Sequence, residues 1–373
     1  MLARGMRMDW EIAWLRSWAA VWSSEALARW RAAAEDRRAH ATPFMHPATV
    51  RAWLATSEGG PGAHAPFFLV ARSAAGQTVL WPLVRRRGGL LRRIAPAGGT
   101  LFDYHDPVVS PARGAGAVLD PGFWPALERG LAPHAGAWFD VCALSALTPA
   151  VRGGGAFPGP GGRAPLLGLD AYPGFDAWLA SRRPSLAALR RGWDKRAKAD
   201  GLAFHADPPG DVDAVLAWLP ALEAARAARY PGSDLPPGYL ASLVREGQPG
   251  GLVRGSTLRL GGRPISWDLS FLHHGVFYGY MRGFDPEFAR LSPGRLHGLK
   301  LVEWLYGEGA RRFDFLLGAE EYKADWTDGE ETVLASGTIR SRAASTRARQ
   351  AVRRLGFLRR DAAAGGLRPP QSM

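Results

Sequence analysis

The chain has 373 residues, 47% of them hydrophobic, which is enough for two packed domains and excludes a chain that is disordered throughout. Its one cysteine, Cys142, excludes an intrachain disulfide and a zinc site built on several cysteines, and it favours a reducing, cytoplasmic compartment. The formal net charge of +13 is local, because residues 182–198 contribute +6, residues 342–373 contribute +7 and the rest is neutral, so nucleic acid is not the expected partner.

The N-terminal half is predicted to mix helices and strands. Residues 1–22 predict an amphipathic helix, since charged residues interrupt the apolar run too early for a signal peptide. Two strands joined at Ala75–Gly76 form a predicted hairpin, followed by a helix at 123–135 and a strand at 138–144. Residues 152–165 hold six glycines and three prolines, which predict a linker without strand or helix interior.

The C-terminal half predicts helix, helix, three antiparallel strands, helix and strand, an order typical of an α+β fold. Ser185 is the expected N-cap of the first helix and Gly201 its end, and Asp211 opens the second helix. The strands are expected to turn at Gly261–Gly262 and at residues 273–275. His273 and His274 are adjacent in that second turn and should diverge, so no metal site is predicted.

Two neighbouring predicted strands carry polar residues at every second position: Ser266, Asp268 and Ser270 on the first, and Tyr278, Tyr280 and Arg282 on the second. Side chains two apart on a strand share a face, so these residues form one polar patch if the two faces coincide. The alternative is that they form the solvated side of a half-exposed sheet.

The helix expected after Leu291 begins with features of an anion site. Ser292 fits the N-cap, a proline fits the first helical position, and Gly294 leaves the first-turn amides uncovered. Arg295 and His297 would add donors nearby. The alternative is that Ser-Pro only starts a helix.

A short apolar strand ends in an unusually polar segment. Asp314 alternates with Phe313 and Phe315, so it should leave the apolar face of the strand. A run of polar side chains follows Gly318: Glu320, Glu321, Tyr322 and Lys323. A solvated salt bridge is the alternative interpretation of the lysine.

These residues belong to a longer pattern, FDPEFARLSPGRLHGLKLVEWLYGEGARRFDFLLGAEEYKADW, which starts at Phe284. The pattern resembles the CelD-like acyltransferases of the GNAT superfamily, a group related to the FemAB-type aminoacyl-transferases. The matching positions are Ser292, Pro293, Gly294, Asp314, Phe315, Gly318, Glu320, Tyr322, Lys323 and Trp326. The resemblance extends over residues 40–345. The segment from Arg290 departs from the usual GNAT pyrophosphate loop, because Pro293 stands where that loop has a glycine.

The resemblance implies two GNAT-like lobes, each a mixed, mostly antiparallel sheet flanked by helices. We assign residues 1–152 to the N-terminal lobe, 153–165 to the linker, 166–345 to the C-terminal acyltransferase lobe and 346–373 to a basic tail. Acetyl-CoA or another acyl-CoA would lie between the strands near residues 276–284 and 311–318.

The resemblance also implies roles for individual residues, and no metal among them. The pyrophosphate would lie on Ser292, Gly294 and Arg295. The candidate bases are Asp268, Asp314 and Glu320. The candidate proton donors are Tyr280, Tyr322 and Lys323, with Lys323 preferred. Asp103, Tyr104, Asp106 and Arg282 are candidates for acceptor binding.

The function implied is a cytoplasmic acyl-CoA-dependent transferase that acylates an amine or hydroxyl of a cell-envelope or polysaccharide precursor. One alternative is a FemAB-like transferase that uses aminoacyl-tRNA, which the basic residues of 182–198 favour. Another is a non-catalytic scaffold in polysaccharide synthesis. In the tail, a helix with Ala348, Ala351, Val352 and Leu355 on one side would dock on the protein or contact an anionic membrane. We expect its first part to dock and its last dozen residues to be disordered.

Overall fold

The computed structural model describes residues 10–86, 90–112, 114, 116–152, 159–232, 235–318 and 320–351. In the first half, the described strands are β1 (Trp10–Leu15), β2 (His64–Pro66), β3 (Phe68–Ser73), β4 (Thr78–Trp81), β5 (Leu83–Arg86), β6 (Arg93–Pro96), β7 (Val108–Ser110) and β8 (Val141–Leu147). The helices are α1 (Trp18–Val21), α2 (Ser24–Glu35), α3 (Pro47–Thr56), α4 (Gly60–Ala63), α5 (Phe123–Leu131) and α6 (Pro149–Arg152).

In the second half, the described strands are β9 (Gly159–Gly168), β10 (Leu202–Ala206), β11 (Val253–Leu260), β12 (Arg263–His273), β13 (Val276–Phe284), β14 (Arg312–Asp314) and β15 (Glu331–Arg340). The helices are α7 (Phe175–Ala180), α8 (Pro184–Ala199), α9 (Val212–Arg229), α10 (Tyr239–Gly247) and α11 (Pro293–Gly307). None of the helices in this described part combines the length and apolar composition that crossing a membrane requires.

The described strands form two sheets. The smaller has the order β1-β3-β4-β7, and the larger has the order β10-β11-β12-β13-β14-β9-β15-β8-β6-β5-β2. Neighbouring strands are antiparallel except for the β13–β14 and β6–β8 pairs, which are parallel. The predicted α+β class with mixed, mostly antiparallel sheets is therefore confirmed. The larger sheet contains strands from both sides of residue 152.

The prediction that residues 152–165 hold no strand is wrong for their second part. Residues 159–165 pair with β15 and continue into Leu166–Gly168, which also pair with β14. Among the described residues, the glycine- and proline-rich part pairs with a strand on one side only, and prolines, which lack an N–H, are tolerated on the other side. Residues 153–158 of the predicted linker lie outside the described residues.

The predicted N-terminal helix is wrong at residues 10–15, whereas residues 18–21 form the short helix α1. Residues 10–15 form β1, which pairs with β3, because Trp10, Ile12 and Trp14 alternate with more exposed residues. The predicted hairpin at Ala75–Gly76 is confirmed as β3–β4. Pro82 then separates β4 from β5, which joins the larger sheet.

The helix ends observed in the second half agree only in part with those predicted from the sequence. Asp211 caps α9, since its side chain accepts a hydrogen bond from the N–H of Ala214. In α8 the N-cap is Arg183 instead of Ser185, because Pro184 occupies the first helical position. The antiparallel order β11-β12-β13 is confirmed.

Helices cover both faces of β11–β13. A Cβ on Gly255 or Gly283 would meet side chains of α9, whereas Ser256 and Ser266 contact His297 of α11. Polar residues of β12 are therefore buried instead of forming the solvated side of a half-exposed sheet.

The first part of the basic tail contacts the protein as predicted, but not through the predicted apolar side, because Ala348 and Ala351 are exposed. Residues 344–351 are helical, and Thr346 and Arg349 donate hydrogen bonds to the carboxylate of Asp140. Burial opposes ionisation of Asp140, but the hydrogen bonds from Arg349 and Thr346 hold its pKa at about 2. The predicted disorder of the last dozen residues lies outside the described residues.

Candidate functional site

The two parallel strands β13 and β14 separate after a short paired region. Val276–Tyr278 pair with Arg312–Asp314. Beyond that point the N–H of Phe315 donates to the carbonyl of Pro165, so the chain follows β9, while β13 continues to Phe284 beside β12. The result is a V-shaped opening between neighbouring strands of the sheet.

Gly279 lies at the apex of this opening. Two residues of β13, Gly279 and Tyr280, oppose the single residue Ser270 of β12, which makes a β-bulge at the apex. A Cβ on Gly279 would lie 2.8 Å from Cε2 of Phe313. Only glycine allows β14 to approach β13 this closely.

Two adjacent cavities with shared lining side chains occupy the opening, and we call them together the splay groove. One part, with a volume of about 310 Å³, lies beside Gly279, Phe315 and Lys323. A second part of about 330 Å³ lies above the start of α11 at Ser292–Arg295. The side chains shared by both parts are Tyr230, Arg282 and Tyr322.

The start of α11 differs in detail from the predicted anion site. Ser292 has a left-handed backbone (φ 53°) and its hydroxyl does not cap the helix. Its carbonyl accepts hydrogen bonds from the amides of Arg295 and Leu296, 3.0 and 3.1 Å away. A Cβ on Gly294 would meet Phe284 at an ordinary 3.6 Å, so the space above Gly294 is open to the groove.

Two further donors predicted for this helix start have different surroundings. His297 is fully buried between the hydroxyls of Ser256 and Ser266, each 3.0 Å from a ring nitrogen, and burial holds its pKa well below its usual value. The prediction that it faces the anion site is therefore wrong. Arg295 lines the groove, and its guanidinium lies 3.3 Å from the carboxylate of Asp325.

The predicted polar patch on β12 and β13 exists, but it is buried and internally paired. The carboxylate of Asp268 accepts hydrogen bonds from Arg282 (2.8 Å) and Ser270 (2.6 Å), so it orients Arg282 instead of facing the groove. The hydroxyl of Tyr280 donates to the carbonyl of Leu101 (2.7 Å) and is therefore not a free proton donor.

The polar segment after β14 forms one wall of the groove. The ammonium group of Lys323 donates to the carbonyls of Leu316, Leu317 and Gly318 at 3.1–3.2 Å and lies 2.8 Å from the carboxylate of Glu320. Leu316 has a left-handed backbone (φ 57°), a strained conformation for leucine that these contacts hold. Lys323 is 3% exposed, so it stabilises this wall with all its donors in use.

Tyr322 is the most accessible of the predicted proton donors. It is 47% exposed and lines both parts of the splay groove. Within the described residues its hydroxyl has no hydrogen-bond partner. Partial burial raises its pKa. Glu320 also lines the groove, but its carboxylate is paired with Lys323.

Two carboxyl groups near the apex titrate close to neutral pH. Asp314 is 4% exposed, accepts hydrogen bonds from the Tyr104 hydroxyl (2.7 Å) and the Leu316 amide (2.8 Å), and burial raises its pKa to about 7. Burial also raises the pKa of Asp103 to about 7. Asp103 lines the groove, so it is the carboxyl group best placed to exchange a proton with a ligand there.

The structure does not place Asp106 where an acceptor could contact it. Its fully buried carboxylate accepts hydrogen bonds from the amide (2.8 Å) and hydroxyl (2.6 Å) of Thr148 and lies 2.7 Å from Nε2 of His40. The two side-chain contacts are to Oδ2 and the Thr148 amide donates to Oδ1, so both oxygens are used. The expectation of acceptor binding by Asp106 is therefore wrong, because the group is internal.

Sequence reasoning missed the contribution of α9. Arg226, Arg229 and Tyr230, at the end of this helix, line the groove opposite the polar segment. Their spacing of three and four residues was the available signal, because it places Arg226 and Tyr230 on one helical face. Basic residues in a last helical turn are ordinary, so that signal was not distinctive.

The structure also corrects the geometry of His273 and His274. Their rings stack with centroids 3.9 Å apart instead of diverging, since His274 has a left-handed backbone (φ 51°). Across the described ranges, no group of three or more histidine, cysteine or acidic side chains has a geometry that could hold a metal ion.

Comparisons with known proteins agree with this geometry. Residues 182–324 match the family model described as an acetyltransferase (GNAT) domain. Among solved structures, FemX is similar at 11% sequence identity with a TM-score of 0.53, over 80% of this chain and 95% of FemX. A conserved protein of unknown function from Bacteroides thetaiotaomicron VPI-5482 has 10% identity and a TM-score of 0.51, over 87% and 99% of the two chains.

A tandem GNAT protein from the clavulanic acid biosynthesis pathway has 15% identity and a TM-score of 0.44, over 90% of this chain and all of that one. A comparison with curated proteins finds no match. At these identities the similar structures establish the fold alone. The chain therefore has the GNAT fold, and its residues 182–324 match the model of a GNAT-type acetyltransferase domain.

Proposed function

We propose that the protein is an acyltransferase that takes an acyl group from acyl-CoA bound in the splay groove. The separation of the parallel strands β13 and β14 at Gly279 carries this proposal, because it opens the sheet backbone to a ligand inside a GNAT-type domain. At the other end of the groove, Arg229, Arg295 and the start of α11 offer positive groups to a pyrophosphate.

Direct transfer needs a base for the acceptor and a donor for the leaving group. Asp103 would accept the proton of the attacking amine or hydroxyl, whose lone pair forms the new bond to the thioester carbonyl carbon. The carbon–sulfur bond then breaks, and Tyr322 would give its proton to the thiolate. Lys323 would act as a positioning residue that holds the wall carrying Tyr322.

The acceptor is an amine or hydroxyl of a saccharide precursor for the cell envelope or a polysaccharide. This choice rests on the resemblance to CelD-like acyltransferases in residues 284–326.

A second candidate is transfer from aminoacyl-tRNA. Helix α8 favours it, because Arg191, Lys195 and Lys198 are exposed along one segment and could contact phosphates.

Isothermal titration calorimetry with acetyl-CoA and, separately, with bulk tRNA tests the proposal. We expect acetyl-CoA to bind, and Arg229→Gln to weaken it about tenfold or more, with Arg72→Gln as the matched control on an exposed strand position. If the protein binds tRNA at both low and moderate salt but does not bind acetyl-CoA, the second candidate replaces this proposal.

A further inference from the structure

A second cavity of about 370 Å³ lies on the other face of β14 from the splay groove. We call it the far cavity; it is bordered by residues 37–42, 311–314 and the start of β13. Successive side chains of a strand point to opposite faces, so Phe313 lines the splay groove, whereas Arg312 and Asp314 line the far cavity.

The far cavity is strongly positive. Arg37, Arg311 and Arg312 line it, and Asp314 is the one acidic side chain among its lining residues. That carboxyl group is already engaged by Tyr104 and by the amide of Leu316, so it does not neutralise the arginines through a direct ion pair.

The guanidinium groups of these arginines have N–H donors that no described residue uses. Arg311 is oriented by one hydrogen bond, 3.0 Å, to the carbonyl of His274. Neither Arg37 nor Arg312 forms a hydrogen bond or ion pair with any residue that the structure describes. Arg311 and Arg312 are adjacent in the chain and Arg37 comes from a separate segment, and exposed guanidinium groups that line one cavity without an acidic partner can hold an anion.

A buried hydroxyl group supports the same conclusion. Thr42 is 3% exposed and lines the far cavity, and its hydroxyl has no hydrogen-bond partner among the described residues. Buried polar groups normally have partners, so a ligand that accepts hydrogen bonds fits here.

We propose that the far cavity binds a phosphate-bearing ligand. Three guanidinium groups and the hydroxyl of Thr42 supply more donors than a single carboxylate could use, whereas a phosphate or diphosphate has enough oxygen atoms to engage them. The site lies outside the splay groove and its ligand does not depend on acyl-CoA being the substrate there.

Calorimetry with inorganic pyrophosphate tests the proposal on the full chain. We expect the double variant Arg37→Gln/Arg312→Gln to weaken binding at least tenfold. The double variant Arg72→Gln/Arg340→Gln removes the same charge from exposed strand positions without described contacts, and it should bind as the wild type does. Hydrogen–deuterium exchange should show pyrophosphate protecting residues 37–42 and 311–316.

Equal weakening in both double variants, no pyrophosphate binding, or protection confined to the splay groove would overturn the proposal. Vesicles of phosphatidylcholine with 30% phosphatidylglycerol separate two sources of the phosphate. Vesicle binding that is lost in Arg37→Gln/Arg312→Gln supports a lipid headgroup, and pyrophosphate binding without vesicle binding supports a soluble phosphate compound. Loss of pyrophosphate binding in that variant with acetyl-CoA binding unchanged keeps the two sites, and the two proposals, distinct.

Discussion

The hydroxyl of Tyr104 donates a hydrogen bond of 2.7 Å to Oδ2 of Asp314, although the two residues are 210 positions apart. Both side chains are buried, and the bond joins the N-terminal half of the chain to the strand where β13 and β14 separate. Asp103, the adjacent residue, faces the splay groove, while Tyr104 and Asp314 line the far cavity. The Tyr104–Asp314 bond thus lies between the two cavities.

Replacing Tyr104 with phenylalanine should lower the free energy of unfolding by about 1.5–3 kcal/mol, the range for a hydrogen bond to an ionisable group. Urea denaturation at pH 7.5 measures the change. Tyr278→Phe is the matched control, because no described residue accepts from or donates to its hydroxyl, and it should cost less than about 1 kcal/mol. Equal losses in the two variants would contradict the assigned bond energy.

The contribution of Asp314 to stability should fall as the pH rises from about 4 to 7, whereas buried histidines with a lowered pKa, such as His46, contribute in the opposite direction. The pKa of Asp314 is about 7 in the folded chain, above its ordinary value of 3.8, so in this window the unfolded state has lost a proton that the folded state keeps. Each such group changes the free energy of unfolding by at most about 1.4 kcal/mol per pH unit. Denaturation at pH 4.5, 6 and 7.5 measures the slope.

Asp314→Asn removes this contribution, so the slope of the free energy of unfolding against pH should be more positive in the variant than in the wild type, while Asp103, whose pKa is also about 7, continues to contribute. Identical slopes in the wild type and the variant would show that Asp314 ionises in the folded chain as it does in the unfolded one.

Lys323→Met should destabilise the protein by about 2 kcal/mol or more, because three carbonyl groups lose their donor. Glu320→Gln is the control, since it removes only the ion pair. The carboxylate is 52% exposed, so that change should cost less than about 1 kcal/mol. Thermal and urea unfolding measure both. A Lys323→Met protein that is as stable as the wild type yet has lost transferase activity would make Lys323 a catalytic residue.

Gly279→Ala should close the apex of the splay groove. The new Cβ would lie 2.8 Å from Phe313, so we expect a loss of about 1–3 kcal/mol in stability and weaker acetyl-CoA binding. Gly307→Ala is the control, since a Cβ there has no neighbour within 4 Å, and it should leave acetyl-CoA binding unchanged. Calorimetry compares the two; equal affinities would place the ligand away from the apex.

Local sequence patterns predicted strands, turns and helix caps correctly where these depend on residues close together in the chain. The alternation in β12, the Asp211 cap and the turns at residues 261–262 and 273–275 are all present. The strand at 159–168 could not be predicted, because it depends on β15, which comes about 170 residues later. Sheet pairing of that kind is set by tertiary packing and not by local propensity.

The sequence predicted which residues lie near the groove, but it did not predict what each of their side chains does there. Sequence spacing placed Asp268, Tyr280 and Lys323 near the groove, and the structure shows that their polar atoms are used by Arg282, Leu101 and the carbonyls after β14. Such pairing depends on distances across the fold, which no spacing rule contains.

A crystal structure of the protein soaked with acetyl-CoA tests the central claim most directly. We predict ligand density in the splay groove, with the thioester near Gly279 and the pyrophosphate near Arg229 and Arg295. Density for acetyl-CoA elsewhere on the molecule, or a groove that stays without ligand at millimolar acetyl-CoA, would contradict it.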